Sequence, residues 1–582
     1  MQTRSASLGL SLLFLIPALI LATGVAAAPQ AAGIPDAPGP VATPEPEIVI
    51  RSSSRLVQVS VIVRDKKGDP ITGLKKEDFS VLDEGKAQDI AFFTAAAPAP
   101  VTHPAPLPPN VFTNRFDLKG EDPGAVTVVL FDSLNTSPQD QSYVRKQVLS
   151  FLKTVKPQDH VALYALTTQL LILHDFTRDA SALAEGASRF SPKELASFDA
   201  STTPDVDLVN LGSDPQWQKL QDALNNAQGI ISDQYTIDRK DTTVGALKAI
   251  ADHVAGIPGR KSLVWVSGGI PVQIGAGLAG LPKYDREIAT SFAEDLKQAA
   301  QALNRVDMAV YAVDAKGVEV ATGMDPGMRG RLDSPSLSSS SGLFARQDLR
   351  DSSKLLADQT GGLAFFGNNG IRDILDRVFD DERNAYTLGF YPDHHDWNGK
   401  FRAIKIQVKT EGAHLRYRKG YFASADRSDT EDVVKTALKN AAESPLDATV
   451  LGMIVSGKAV DPVSARNLEV HIGLDPKQLL LENSQDHRKG AVDLYFLQRD
   501  GAGATVASEK QHINLNLEEK QYQYLTKVAM VLDRHVTIQP RATELRLVVR
   551  DAGSGTFGSV SMPVTAFFKS EAAPAVLEKK PD

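Results

Sequence analysis

Seven positions in the sequence set oxygen-bearing side chains at or near where strands should end. The stretch Ala125–Thr136, AVTVVLFDSLNT, runs through β-branched and apolar residues and stops at Asp132. The polar positions Asn135 and Thr136 follow it. A second apolar run, Ser262–Val266, stops at Ser267-Gly268-Gly269, and a third, Met308–Val313, stops at Asp314. Thr242 or Thr243 is placed to cap the helix that precedes the second run. Fully apolar runs of this kind read as strands buried on both faces, and α/β sheets bind ligands beyond the carboxyl ends of such strands. Carboxylates and hydroxyls gathered there can bind a partner's polar groups, hold a hard cation, or act as an acid–base pair. Asp132, Asn135, Thr136, Thr242, Thr243, Ser267 and Asp314 are therefore the candidates for partner or metal binding.

The elements that must position them alternate strand and helix. Ser137-Pro138 supplies an N-cap and first helical residue, with Asp140 near the capping-box position. Val144, Val148, Leu152 and Val155 then form one apolar helical face. Strands are predicted at Val161–Leu166, Leu363–Phe366, Ala385–Tyr391 and Phe401–Lys409, and helices around Arg286–Asn304 and Ile371–Phe379. This succession implies a doubly wound, mostly parallel α/β sheet over residues 124–424, with insertions near 190–235 and 318–344.

Two β-rich regions flank it. Residues 47–94 read as a small β-sandwich, and residues 430–568 as a second, with short turns such as DAGSGTFGS. Residues 95–123 form a Pro-rich linker, and residues 569–582 a tail. At the start, Arg4, the apolar run Leu8–Leu21 and the Ala26-Ala27-Ala28 cleavage site predict a signal peptide over residues 1–28, followed by a disordered leader, 29–46. No later run is long enough to span a bilayer, so the expected location is exported, periplasmic or secreted.

Composition excludes several functions. Among 582 residues the net charge is -8, and no basic block occurs, which argues against a nucleic-acid partner. The chain has no cysteine, so thiol catalysis and thiolate metal sites are ruled out. The glycines of GAGLAG (275–280) satisfy a dinucleotide-loop pattern, but they do not directly follow a strand and Pro282 interrupts the required helix. His394-His395-Asp396 runs into an Asn-Gly turn and reads as a solvated connection.

Several stretches carry a resemblance. VIVRDKKGDPITGLKKEDFSVLDEGKAQDI, VVLFDSLNT, TTVGALKAIADHVAGIPGRKSLVWVSGG, VDMAVYAVDAKG, LADQTGG and AYTLGFYP with its continuation to YRKGYF are similar to the VWFA-related acidobacterial domain family. The middle domain resembles the von Willebrand factor type A fold. The resemblance covers about residues 48–424 and implies an exported binding module rather than an enzyme. It also implies a metal-dependent adhesion site for Mg²⁺ or Mn²⁺, built from D-x-S-x-S, a distant Thr and a later Asp. Asp132, Thr136 and Thr243 (or Thr242) match that pattern. Leu134 stands at the first Ser, and the later Asp falls near Gly268, so the site is degenerate. No cofactor is firmly indicated, and Mg²⁺ or Mn²⁺ at this site is the alternative. The expected function is a non-enzymatic binding or scaffold protein that engages a protein, or less favourably a glycan, through the carboxyl edge. An extracytoplasmic hydrolase using Asp132 and Asp314, or a metal-free structural component of the envelope, are the competing readings.

Overall fold

The structure, a computed structural model, describes residues 56–95, 107–119, 125–190, 215–269, 282–315, 350–423 and 431–568, apart from 154, 157–158, 258, 368–369, 395–397, 461–465 and 485. The signal segment, the leader, the glycine loop 275–280, the insertion at 318–344 and the tail lie outside the described residues.

The chain opens with β1 (Val57–Arg64), β2 (Phe79–Asp83), β3 (Lys86–Gln88) and β4 (Ile90–Ala95), then β5 (Val111–Thr113). The α/β section follows as β6 (Val126–Asp132), α1 (Pro138–Leu152), β7 (His160–Leu166), β8 (Leu170–Thr177), α2 (Ala180–Arg189), α3 (Pro215–Val254), β9 (Lys261–Ser267), α4 (Pro282–Arg305), β10 (Met308–Asp314), a helix α5 at 350–360, β11 (Leu363–Phe365) and α6 (Ile371–Arg383). Next come β12 (Tyr386–Phe390), β13 (Phe401–Val408), β14 (His414–Arg416), β15 (Gly420–Phe422) and α7 (Glu431–Glu443). The last part holds β16 (Met453–Ala459), β17 (Asn467–Leu474), β18 (Glu482–Ser484), β19 (His487–Arg499), β20 (Thr505–Glu518), α8 (Glu519–Val528), β21 (Met530–Thr537), β22 (Glu544–Asp551) and β23 (Phe557–Pro563).

A six-stranded sheet in the order β11-β10-β9-β6-β7-β8 lies at the centre, parallel except for β8. Every residue of β6, β7 and β9 is buried, as expected for strands covered on both sides. On one face Val128, Leu130 and Trp265 pack against Leu247, Ile250 and Val254 of α3 and Leu296 and Leu303 of α4. On the other, Val129, Phe131 and Tyr311 meet Val148 and Phe151 of α1 and Leu375 and Phe379 of α6.

The flanking strands correct the sequence reading. Residues 47–94 do not close a sandwich by themselves. β1 pairs with β12 and β14, β4 with β12, and β2 with β13. Two four-stranded sheets, β14-β1-β12-β4 and β15-β13-β2-β3, share a core of Val59, Val61, Val81, Leu388, Phe390 and Ile406. Strands assigned from sequence to the α/β sheet, Ala385–Tyr391 and Phe401–Lys409, thus belong here. A piece with four short strands cannot bury two sheet faces alone, and the alternating burial of β13 is that of a half-covered antiparallel strand. The α/β section is inserted between the two halves of this sandwich.

The Pro-rich linker contains β5, an edge strand on β16 of the last sandwich. Asn114 fixes it there, donating to the carbonyls of Ala448 (2.6 Å) and Leu451 (2.9 Å) and accepting from Met453 N (2.8 Å). The sheet β21-β17-β16-β5 faces the sheet of β18–β20, β22 and β23 across Val455, Val470, Leu494 and Leu547. Of the expected insertion near 190–235, residues 191–214 lie outside the described residues, and the remainder is helical, the first part of α3, which runs unbroken from Pro215 to Val254. Neither Thr242 nor Thr243 caps a helix.

Both sandwiches are fastened to the amino edge of the central sheet. Asp381 on α6 accepts from Arg64 (2.8 Å), Arg416 and Tyr311 (3.1 Å), and Arg260 donates to the same Tyr311 hydroxyl (2.9 Å). Burial alone would raise the Asp381 pKa, but Arg416, Arg64 and Arg260 outweigh it and hold the carboxylate below its ordinary range. Ser60 Oγ donates to Asp307 (2.6 Å) ahead of β10. At the end of α3, Thr449 Oγ donates to the His253 carbonyl (2.7 Å) and accepts from Gly256 N (2.7 Å). The carboxyl edge is at the opposite end of the strands.

Two outcomes follow from the buried acids. Asp381→Ala leaves the clustered arginines without their shared counter-charge, and chemical denaturation should show a loss of about 3–5 kcal/mol. Glu382, next in sequence, is buried against Thr127, whose hydroxyl donates to it at 2.6 Å. Burial lifts its carboxyl from 4.5 to about 7. The folded state therefore binds this proton more tightly than the unfolded chain. The stability it contributes is fully present below the unfolded value and is lost as pH rises through about 7. Melting curves of Glu382→Gln should lose that decline, which is worth roughly 3 kcal/mol in the wild type.

Candidate functional site

The register of the central strands brings the candidates together. Asp314 of β10 lies beside Ser267 of β9, and Phe131 of β6 lies beside Val266, so Asp132, Ser267 and Asp314 form one lateral row on the α3 side of the sheet. Asp132 is fully buried. Its Oδ1 accepts from the Asn135 backbone N–H (3.0 Å) and side-chain amide (3.1 Å). Its Oδ2 accepts from the Asn135 amide (2.9 Å), Trp265 Nε1 (3.0 Å) and Ser267 Oγ (2.7 Å). Burial raises the Asp132 pKa, and the donors from Ser267, Asn135 and Trp265 work against that rise.

Thr136 and Thr243 are spent on the scaffold. Thr136 Oγ donates to the Asp132 carbonyl (2.6 Å) and accepts from Gly268 N (3.1 Å). Thr243 Oγ donates to the Arg239 carbonyl one turn earlier (2.8 Å) and accepts from the Asn135 amide (2.8 Å). Thr243 is fully buried, whereas Thr242 is partly exposed and bonds the Asp238 carbonyl instead (2.8 Å). Of the two threonines, only Thr243 belongs to this cluster. Ser137 caps α1 as expected, accepting from Asp140 N (3.3 Å).

The two departures from the metal pattern have structural causes. Leu134 is buried in the core with Val128, Leu130 and Trp265. A Cβ on Gly268 would lie 2.3 Å from the Asn135 carbonyl oxygen, so the backbone of residues 135–136 closes over the position where the carboxylate is wanted. A divalent cation needs oxygens with free lone pairs in an octahedral shell. Asp132, Thr136 and Thr243 instead receive N–H and O–H donors, and the residues present do not fit the ion. Among the described residues, no group of three or more His, Cys, Asp or Glu side chains is arranged to hold a metal.

Sequence reasoning missed Trp265 and Arg239. Trp265 is the largest fully buried side chain among the described residues, and its indole N–H needs an acceptor. Arg239 is buried on α3 one turn before Thr243. Burial lowers its pKa, and the charge of Asp132 pulls it back up. An arginine one turn ahead of the matched threonine was a readable signal for it.

No protein-family model matches the sequence. No curated protein matches it either. Among solved structures, the chain is similar to an aerotolerance-related membrane protein from Bacteroides fragilis NCTC 9343 carrying multiple mutations to serines. That match has 11% identity over 44% of this chain and 98% of the other, with a TM-score of 0.22. It is also similar to three N-terminal domains of the type V pili tip protein Mfa5 from Porphyromonas gingivalis, at 9% identity over 88% and 78% of the two chains, with a TM-score of 0.25. A third is the pilus adhesin SpaC from Lactobacillus rhamnosus GG, at 8% identity over 73% of this chain and 53% of the adhesin, with a TM-score of 0.23. Among the described residues, no helix is long and apolar enough to cross a membrane.

Gly268→Ala should lower the denaturation midpoint by the equivalent of about 1–3 kcal/mol, because the new methyl meets backbone rather than a flexible side chain. An unchanged midpoint would mean that the loop does not close on Gly268.

Proposed function

We propose that this chain is an exported, non-enzymatic binding or scaffold protein with a type A-like α/β unit, which engages a protein partner across the carboxyl edge of its central sheet. The observation that carries this reading is the placement of the sandwiches. Both are pinned to the amino edge, by Asp381 with its arginines and by Thr449, and among the described residues neither is fastened to the opposite edge.

The helix α3 extends that edge. Thr243 touches Asn135, and the residues from Pro215 to Thr243 reach roughly 40 Å beyond it at the α-helical rise. Leu220, Leu224 and Ile231 are exposed along this part, at 43%, 39% and 54%, and their spacing puts them on one stripe. An apolar stripe favours a protein over a glycan as partner. The saturated hydrogen bonding of Asp132 favours a structural carboxylate over a general acid or base. The signal-like N-terminus supports export.

Photocrosslinking in the native envelope tests this. A photoreactive residue at Thr168, in the exposed turn after β7, or at Ile231 should give a discrete protein adduct, while one at the exposed Lys510 on the last sandwich should give none. Adducts from Lys510 alone would place the contact surface on the sandwich and overturn the reading.

A further inference from the structure

We infer that the carboxyl edge works without a metal ion because the side-chain amide of Asn135 occupies the place where a cation would bridge Asp132 and Thr243. This stands independently of which partner the edge meets. Asn135 Nδ2 lies 3.1 and 2.9 Å from the two Asp132 oxygens and 2.8 Å from Thr243 Oγ. These are the oxygens that the D-x-S-x-S pattern and its distant Thr would offer an ion.

The orientation of the amide follows from its neighbours. A carboxylate only accepts, and the Thr243 hydroxyl has given its one hydrogen to the Arg239 carbonyl. Both can face only the NH₂ end of Asn135. The backbone N–H of Asn135 also bonds Asp132, so the side chain is held at two points.

Other acceptors around this centre are engaged too, while Asn135 Oδ1 has no hydrogen-bond partner among the described residues. Trp265 and Ser267 fill the outer side of Asp132 Oδ2, and Gly268 N fills Thr136 Oγ. Mg²⁺ requires about six oxygens at roughly 2.0–2.1 Å. To admit the ion, the amide must leave and several donors must turn away.

The ion would also supply positive charge, and this chain has a substitute. Arg239 is buried on the same helix, one turn from Thr243, within electrostatic reach of Asp132. The amide thus replaces the ion's directional contacts and Arg239 its charge. Partner binding at this edge is then indifferent to chelators, and the partner needs no carboxylate to complete a coordination shell.

The test uses the full chain. Wild-type protein titrated with MnCl₂ by calorimetry should give no saturable heat, and its melting temperature should be the same in EDTA and in millimolar Mn²⁺. Asn135→Asp puts carboxylate oxygens where the amide hydrogens stood, and this variant should acquire Mn²⁺ binding and a melting temperature that rises with the ion. If it does not fold, Asn135→Ser leaves the position open and carries the same expectation. Saturable Mn²⁺ binding by the wild type that Asp132→Asn abolishes would overturn the inference. So would a folded Asn135 variant that ignores the ion.

Discussion

Asp132 ends a central strand of the sheet with its carboxylate removed from water. A buried charge of this kind is costly unless hydrogen bonds and a counter-charge replace its hydration. Much of the local structure can be understood as that replacement. The turn after β6 folds back so that Asn135 donates twice, from backbone and side chain. Ser267 is brought alongside by the parallel register, and Trp265 aims its indole N–H at the same oxygen. The satisfaction is mutual, since a tryptophan packed at the centre of the sheet needs an acceptor as much as Asp132 needs donors. Gly268 is glycine because the loop that carries Asn135 passes too close for a side chain.

The rest of the molecule is built around the amino edge. β1, β2 and β4 each take a partner strand that follows the α/β section, and β5 joins a sheet whose other strands begin at Met453. These long-range pairings tie the three parts into a continuous body. The polar contacts of the first sandwich with the α/β section are charged, with Arg64, Arg260 and Arg416 sharing the buried Asp381 through direct bonds or the Tyr311 hydroxyl. Breaking such a network is expensive because the partners left behind stay buried. It therefore serves as a rigid mount.

The α/β section was legible because its strands are uniformly apolar and its helices carry one-sided faces, as with β6, α1 and α6. The ends of those strands also placed Asp132, Ser267 and Asp314 together. The sandwich partnership was not legible, because local pattern identifies a strand without naming its neighbour. β13 alternates in burial like any antiparallel strand, and nothing near it in sequence points to β2 more than 300 residues away. β5 was hidden in a Pro-rich stretch whose composition reads as linker. At the site, residue types suggested ligands, but an oxygen that can bind a cation is equally able to accept a hydrogen bond. Only the positions of Asn135 and Trp265 decide between these uses.

The central claim is that Asp132 is satisfied from within the chain. Its most direct test is a crystal of the full chain grown with Mn²⁺ and measured for anomalous scattering. No anomalous peak is expected beside Asp132, and density for the Asn135 amide is expected between Asp132 and Thr243. A Mn²⁺ peak bridging those two residues, with Asn135 turned away, would contradict the claim.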